Sequence, residues 1–132
     1  MFRKIFIHII TISFILFLGF IIYAANARID FFVFKALKYI PLSDKLGHFG
    51  LVGLLTFLVN LSLKHKIIGF FRLNIYLGSI IVFCLFTFEE SSQVWINNRT
   101  FDLVDLAFNY LGIAIASGLN RLLYKRKQSK LC

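Results

Sequence analysis

The sequence predicts an all-α integral membrane bundle of about four transmembrane helices, with N- and C-termini cytoplasmic. Three observations carry that prediction. The chain is 59% hydrophobic with a mean hydropathy of +0.81, against roughly 45–50% apolar residues in a soluble domain. Four apolar runs divide its length. Its bases lie between the runs and at the chain ends, in an uneven way that sets a topology. At 132 residues the chain is a single domain, 1–132.

The first run, 5–27, is "IFIHIITISFILFLGFIIYAANA", and its 23 charge-free residues suffice for a helix across about 30 Å of hydrocarbon. The basic "MFRK" before it and Ala25-Asn26-Ala27 at its end also give it the form of a signal peptide. Its apolar core exceeds the usual ~7–15 residues, which favours a retained anchor. Residues 28–43 are aromatic with spaced Lys and read as an interfacial segment ended by Pro41, with Ser43 as N-cap of the next helix.

The remaining runs lie between Lys45 and Lys64, Arg72 and Glu89, and Asp105 and Arg121, and hold 18, 16 and 15 residues. Each is short of the ~20 residues that a spanning helix needs. The helices are therefore expected to continue outward through polar flanks. Helix two would take in Asp44, Lys45 and His48, helix three Glu90 towards Gln93, and helix four Asp102 and Asp105 from a start near Thr100. Intramembrane charges of this kind face one another rather than lipid. With the N-terminus inside, ten bases fall on the cytoplasmic side and five outside, as the positive-inside rule requires. The basic tail from Arg121 to Lys130 reads as a stop-transfer anchor.

The formal charge of +9 does not indicate nucleic-acid binding, because the bases flank apolar runs and form no aromatic–basic module. Cys84 and Cys132 should lie at different depths, so no disulfide is expected. No zinc-type Cys/His spacing occurs.

Three polar constellations stand out. In "SDKLGHF", Asp44 and His48 share a helix face four residues apart, and Gly47, Gly50 and Gly53 follow at a spacing suited to close helix packing. In "EESSQ", Glu90 and Gln93 share a face, and Glu89 reads as idle surface charge. In "RTFDLVDLAFNYLG", Asp102, Asp105, Asn109 and Gly112 form one stripe, opposite apolar positions. Taken singly, each motif has an ordinary explanation as a helix terminus or boundary polar group. Together they send Asp, His, Glu and Asn side chains from three helices to one depth.

"DKLGHF", "EESSQ" and the Arg99–Asp102–Asp105–Asn109–Gly112 series together resemble the VanZ-like family of small bacterial membrane proteins, over residues of about 40–120. Here Asn98 precedes Arg99, where many relatives carry Gly. The resemblance implies a multi-pass protein of the bacterial cytoplasmic membrane with a part in cell-envelope function or in resistance to the glycopeptide teicoplanin. It supplies no reaction.

Three functions are weighed. In the first, a polar pocket at the extracytoplasmic face binds or acts on a lipid-linked or phosphate-bearing envelope molecule. Asp44, Asp102 and Asp105 would hold a divalent ion such as Mg²⁺ or Mn²⁺. Lys45, Gln93, Arg99 and Asn109 would contact substrate. In an enzymatic version His48, Glu90 and Asp105 would do the chemistry, His48 or Glu90 as base; whether the protein is an enzyme is left open. In the second, the network is a structural clasp, or a site for an antibiotic or membrane lipid. Ion or proton transport ranks lowest, because the inner halves of the helices offer only scattered Asn and Ser.

Overall fold

The computed structural model describes residues 2–27, 29, 39, 42–70, 73–96 and 101–129. They form helix α1 (Phe2–Asn26), helix α2 (Ser43–Ser62), strands β1 (Ile67–Phe70) and β2 (Leu73–Tyr76), helix α3 (Leu77–Ser92) with a 3-10 turn at Gln93–Trp95, and helix α4 (Leu103–Ser129). Four helical segments, Lys4–Asn26, Ser43–Ser62, Leu77–Trp95 and Leu103–Arg126, are long and apolar enough to cross a membrane. The helices run up and down. One end gathers the starts of α2 and α4 and the end of α3, and with them five carboxylates. The other carries the β-hairpin. We call these the acidic end and the hairpin end.

The short apolar runs reach this length as their composition requires, by taking in polar flanks. α2 begins at Ser43, so Asp44, Lys45 and His48 occupy its first turns. α3 and its turn carry Glu90 and Gln93. Two helix starts differ from expectation. Ser43 is the first helical residue, and Leu42 at φ 65° holds the cap position. α4 begins at Leu103 rather than near Thr100. The Asp102 carboxylate accepts the Val104 N–H at 2.7 Å, which satisfies a helix N-terminus from outside instead of extending it. At the far end α4 runs on through the basic tail to Ser129.

Among the described residues the hairpin is the one departure from helical structure. β1 and β2 pair antiparallel, with Ile67 opposite Tyr76 and Phe70 opposite Leu73. The β-branched and aromatic residues Ile67, Ile68, Ile75 and Tyr76 suit a strand. α2 leads into it through a Schellman-type close: the His65 N–H reaches the Asn60 carbonyl at 2.8 Å, and the Lys64 N–H reaches Leu61 at 3.0 Å. Lys64, at φ 53°, stands where such ends usually place Gly.

The apolar core lies mid-bundle and joins Leu18, Val52, Leu55, Val82, Phe86 and Ile113. α1 packs on α2, where Thr11 meets Ser62 through a 2.7 Å hydroxyl pair. α2 and α4 approach most closely where two glycines face each other. A Cβ on Gly112 would lie 2.5 Å from the Phe49 carbonyl oxygen and 3.1 Å from the Gly53 nitrogen. Of the three glycines expected to pack helices, only Gly53 does so; a Cβ on Gly47 or Gly50 would meet nothing within 4 Å.

Cys84 is free and exposed; Cys132, and most of the segment read as interfacial, lie outside the described residues. Gly112→Ala should destabilise the bundle by about 1–3 kcal/mol, since backbone on both sides must move. Gly50→Ala should instead stabilise it by about 0.5–1 kcal/mol through helix propensity alone. Thermal unfolding of both variants in detergent measures the contrast.

Candidate functional site

The Asp102–Asp105–Asn109–Gly112 stripe of α4 lies against the Lys45–His48–Phe49–Gly53 side of α2. The glycine contact draws the backbones together, and the polar pairs follow one and two turns above it. Lys45 Nζ donates to Asp102 Oδ2 at 2.7 Å and to Asp105 Oδ1. Its side chain is only 20% exposed, so two carboxylates compensate one partly desolvated ammonium.

Asp102 joins three helices. Its Oδ2 holds Lys45 of α2, its Oδ1 caps α4, and its backbone N–H donates to Glu90 Oε1 of α3 at 3.2 Å. Lys45, foremost, and then the Val104 N–H keep the Asp102 carboxyl below the usual carboxylate range. Glu90 is fully buried. Its Oε2 accepts from Gln93 Nε2 at 3.2 Å, so both of its oxygens have protein donors. The buried Gln93 also reaches the two Glu89 oxygens at 3.3 Å. Glu89 is half-buried and bound within this network, not idle surface charge.

His48 faces the other way. Its Nδ1 lies 3.1 Å from Asn109 Oδ1. An amide oxygen only accepts, so Nδ1 donates in this pose. Nε2 stands 3.9 Å from Asp44 Oδ1 and 3.8 Å from Asp105 Oδ2, beyond hydrogen-bond length in both cases. One ligand atom each from Asp44, His48 and Asp105 lies within 4.8 Å of the others. Asn109 is fully buried, and its Nδ2 has no hydrogen-bond partner.

The expected residues thus divide into two groups. Asp44, His48 and Asp105 surround a common point, with Asn109 behind the imidazole. Asp102, expected with the metal ligands, stands outside that group because its oxygens serve Lys45 and the α4 cap. Glu90, expected as a base, and Gln93, expected at substrate, are enclosed and hold α3 to α4. Lys45, expected at substrate, is paired with two acids. Arg99 lies outside the described residues.

Two carboxylates and an imidazole suit a divalent cation of hard to borderline character. An imidazole ligand with its second nitrogen fixed by an amide oxygen is the usual outer arrangement at such sites. Coordination would require the ligand atoms to draw together, since bonds of about 2.0–2.2 Å place them nearer than they stand. Asp44, with a side chain 75% exposed, is free to swing inward.

Sequence reasoning passed over a second polar group at the hairpin end. Asn60 Nδ2 donates to Ser79 Oγ at 2.9 Å, and Ser79 Oγ lies 2.7 Å from Ser117 Oγ. His65 sits between the rings of Tyr76 and Tyr124, at centroid distances of 5.7 and 5.2 Å. Comparisons with protein-family models, curated proteins and solved structures find no match.

Because its folded-state value is lowered, Asp102 stabilises the fold above the unfolded carboxyl value of about 3.9. That contribution is lost as pH falls through the folded value. Asp102→Asn should therefore flatten the acid limb of a melting-temperature profile below about pH 4. Lys45→Met should lower the melting temperature at neutral pH, by leaving Asp102 and Asp105 without their shared cation. Melting curves in detergent across pH provide both values.

Proposed function

We propose that the chain is a VanZ-like multi-pass protein of the bacterial cytoplasmic membrane. Its acidic end faces outward and binds a divalent cation, and through that cation a phosphate-bearing or lipid-linked envelope molecule. The observation that carries this reading is the convergence of Asp44, His48 and Asp105 ligand atoms within 4.8 Å, with His48 Nε2 turned toward both acids. Among the described residues, five carboxylates share this end with one base, Lys45. A cation relieves that excess and gives anionic oxygens a partner that the paired Lys45 does not provide.

Four helices of membrane-crossing length and hydropathy, and ten bases against five, support the membrane placement and its orientation. Three motifs in family order, "DKLGHF", "EESSQ" and the Asp102–Gly112 stripe, support the resemblance, and with it a part in envelope function or teicoplanin resistance. The enclosed Glu90, with a protein donor on each oxygen, is read as part of the scaffold that positions the site.

A structural clasp is the second reading, favoured by the bridging of Lys45 to Asp102 and Asp105 and by Glu90 on the Asp102 N–H. The two differ in their response to metal. Purified protein stripped with EDTA should gain about 2.7 kcal/mol of stability at a Mn²⁺ or Mg²⁺ concentration a hundredfold above its Kd. Asp44→Asn leaves the clasp intact and should abolish that gain, as should His48→Ala. A melting temperature indifferent to both metals would leave the clasp as the better account.

A further inference from the structure

A cleft of about 290 Å³ opens at the hairpin end, between β2 and α4. Its wall on α4 is Ala114, Ser117, Gly118 and Arg121; its wall on the hairpin includes Asn74 and Ile75. It belongs to no part of the acidic-end site. The volume equals about ten waters at liquid density, which fits a phosphoglycerol-sized headgroup.

Polarity changes in one direction along the cleft. Ala114 and Gly118 form a small apolar shelf, and a Cβ on Gly118 would meet nothing within 4 Å. Ser117 lies between them in sequence. Its hydroxyl donates to the Ile113 carbonyl at 2.7 Å and pairs with Ser79, which in turn accepts from buried Asn60. This chain of bonds holds the Ser117 oxygen in place and leaves it acceptor capacity. Arg121 follows one turn on. Its Nη2 is fixed on the Asn74 carbonyl at 3.0 Å, and a guanidinium has four further N–H donors. Lys125 continues the same face at i+4.

The small and hydroxyl residues Ala114, Ser117 and Gly118 thus give way to an anchored guanidinium and an ammonium over about 16 Å of helix. A phospholipid likewise passes from chain and glycerol to phosphate. Among the described residues every acid stands at the acidic end, while Lys64, Lys66, Arg121, Lys125 and Arg126 stand at this one, so the charge favours an anionic headgroup. We propose that this cleft is a binding site for one anionic phospholipid, its phosphate on Arg121 and its first methylenes along Ala114 and Gly118. The proposal rests on the membrane reading but not on the metal site or on the family resemblance.

The test is native mass spectrometry of the full chain released from nanodiscs of mixed phosphatidylglycerol and phosphatidylcholine. One phosphatidylglycerol should remain bound. Its retention should fall about tenfold for Arg121→Gln, through loss of charged hydrogen bonds. It should fall comparably for Gly118→Leu, whose Cβ meets open space and which leaves the charge unchanged. Lys66→Gln, a base outside the cleft, should leave retention within about twofold. Equal retention of both lipids, an equal loss in Lys66→Gln, or an unaffected Gly118→Leu would overturn the proposal. Displacement of the lipid by millimolar inorganic phosphate alone would show a free-phosphate site and overturn it too. Failure of the chain to enter nanodiscs would overturn the membrane reading and this inference with it. Loss of the lipid without loss of nanodisc entry would overturn the inference alone.

Discussion

The close backbone contact between α2 and α4 is the constraint on which the acidic-end site depends. Gly112 against Phe49 and Gly53 lets the two helices meet without side chains between them. Only at that separation can Lys45 reach both Asp102 and Asp105, and His48 reach Asn109. Widening the contact by a methyl would move every pair in the ladder, since all lie on the same two faces within a few turns. The carboxylates are tolerable in an apolar chain because this contact supplies their partner. A lone acid at that depth would carry the full cost of desolvation.

The site combines two kinds of polar group at one depth. Asp102, Lys45, Glu90 and Gln93 have hydrogen-bonded protein partners and join α2, α3 and α4. Asp44 and the Nε2 side of His48 do not, and Asp105 stands between the two sets with one oxygen in each. The fixed group therefore positions the open group: Lys45 orients the carboxylate that completes the cluster. Below both, Val52, Leu55, Val82, Phe86 and Ile113 form an apolar layer across the bundle. The Asn60–Ser79–Ser117 chain lies beyond that layer.

Much of this was legible in the sequence where one spacing decides the matter. The 102/105/109/112 stripe could lie on only one helix face, and short apolar runs had to extend through their acidic flanks. Reading failed where a residue type serves two purposes. Asp102 at a helix start caps or coordinates equally well, and only its Val104 and Lys45 contacts distinguish the two. Gly47, Gly50 and Gly53 share one spacing, yet a single one meets another backbone, because α4 crosses α2 at that point. Asn60, Ser79 and Ser117 each look idle in their own helix. Nothing local announces that they meet, since their convergence is a product of the tertiary packing.

The attachment of α1 separates two matters that the sequence leaves entangled. This helix touches the rest of the bundle through α2, by Thr11 on Ser62 and by apolar contact around Leu18, and it brings no side chain to the acidic cluster or to the hairpin cleft among the described residues. Removal of the residues up to Ala27 would therefore take away one long apolar helix while leaving the contacts among α2, α3 and α4 in place. Forms with and without α1 would share the same polar contacts at both ends of α2, α3 and α4. They would differ in how firmly α2 is held from its outer side.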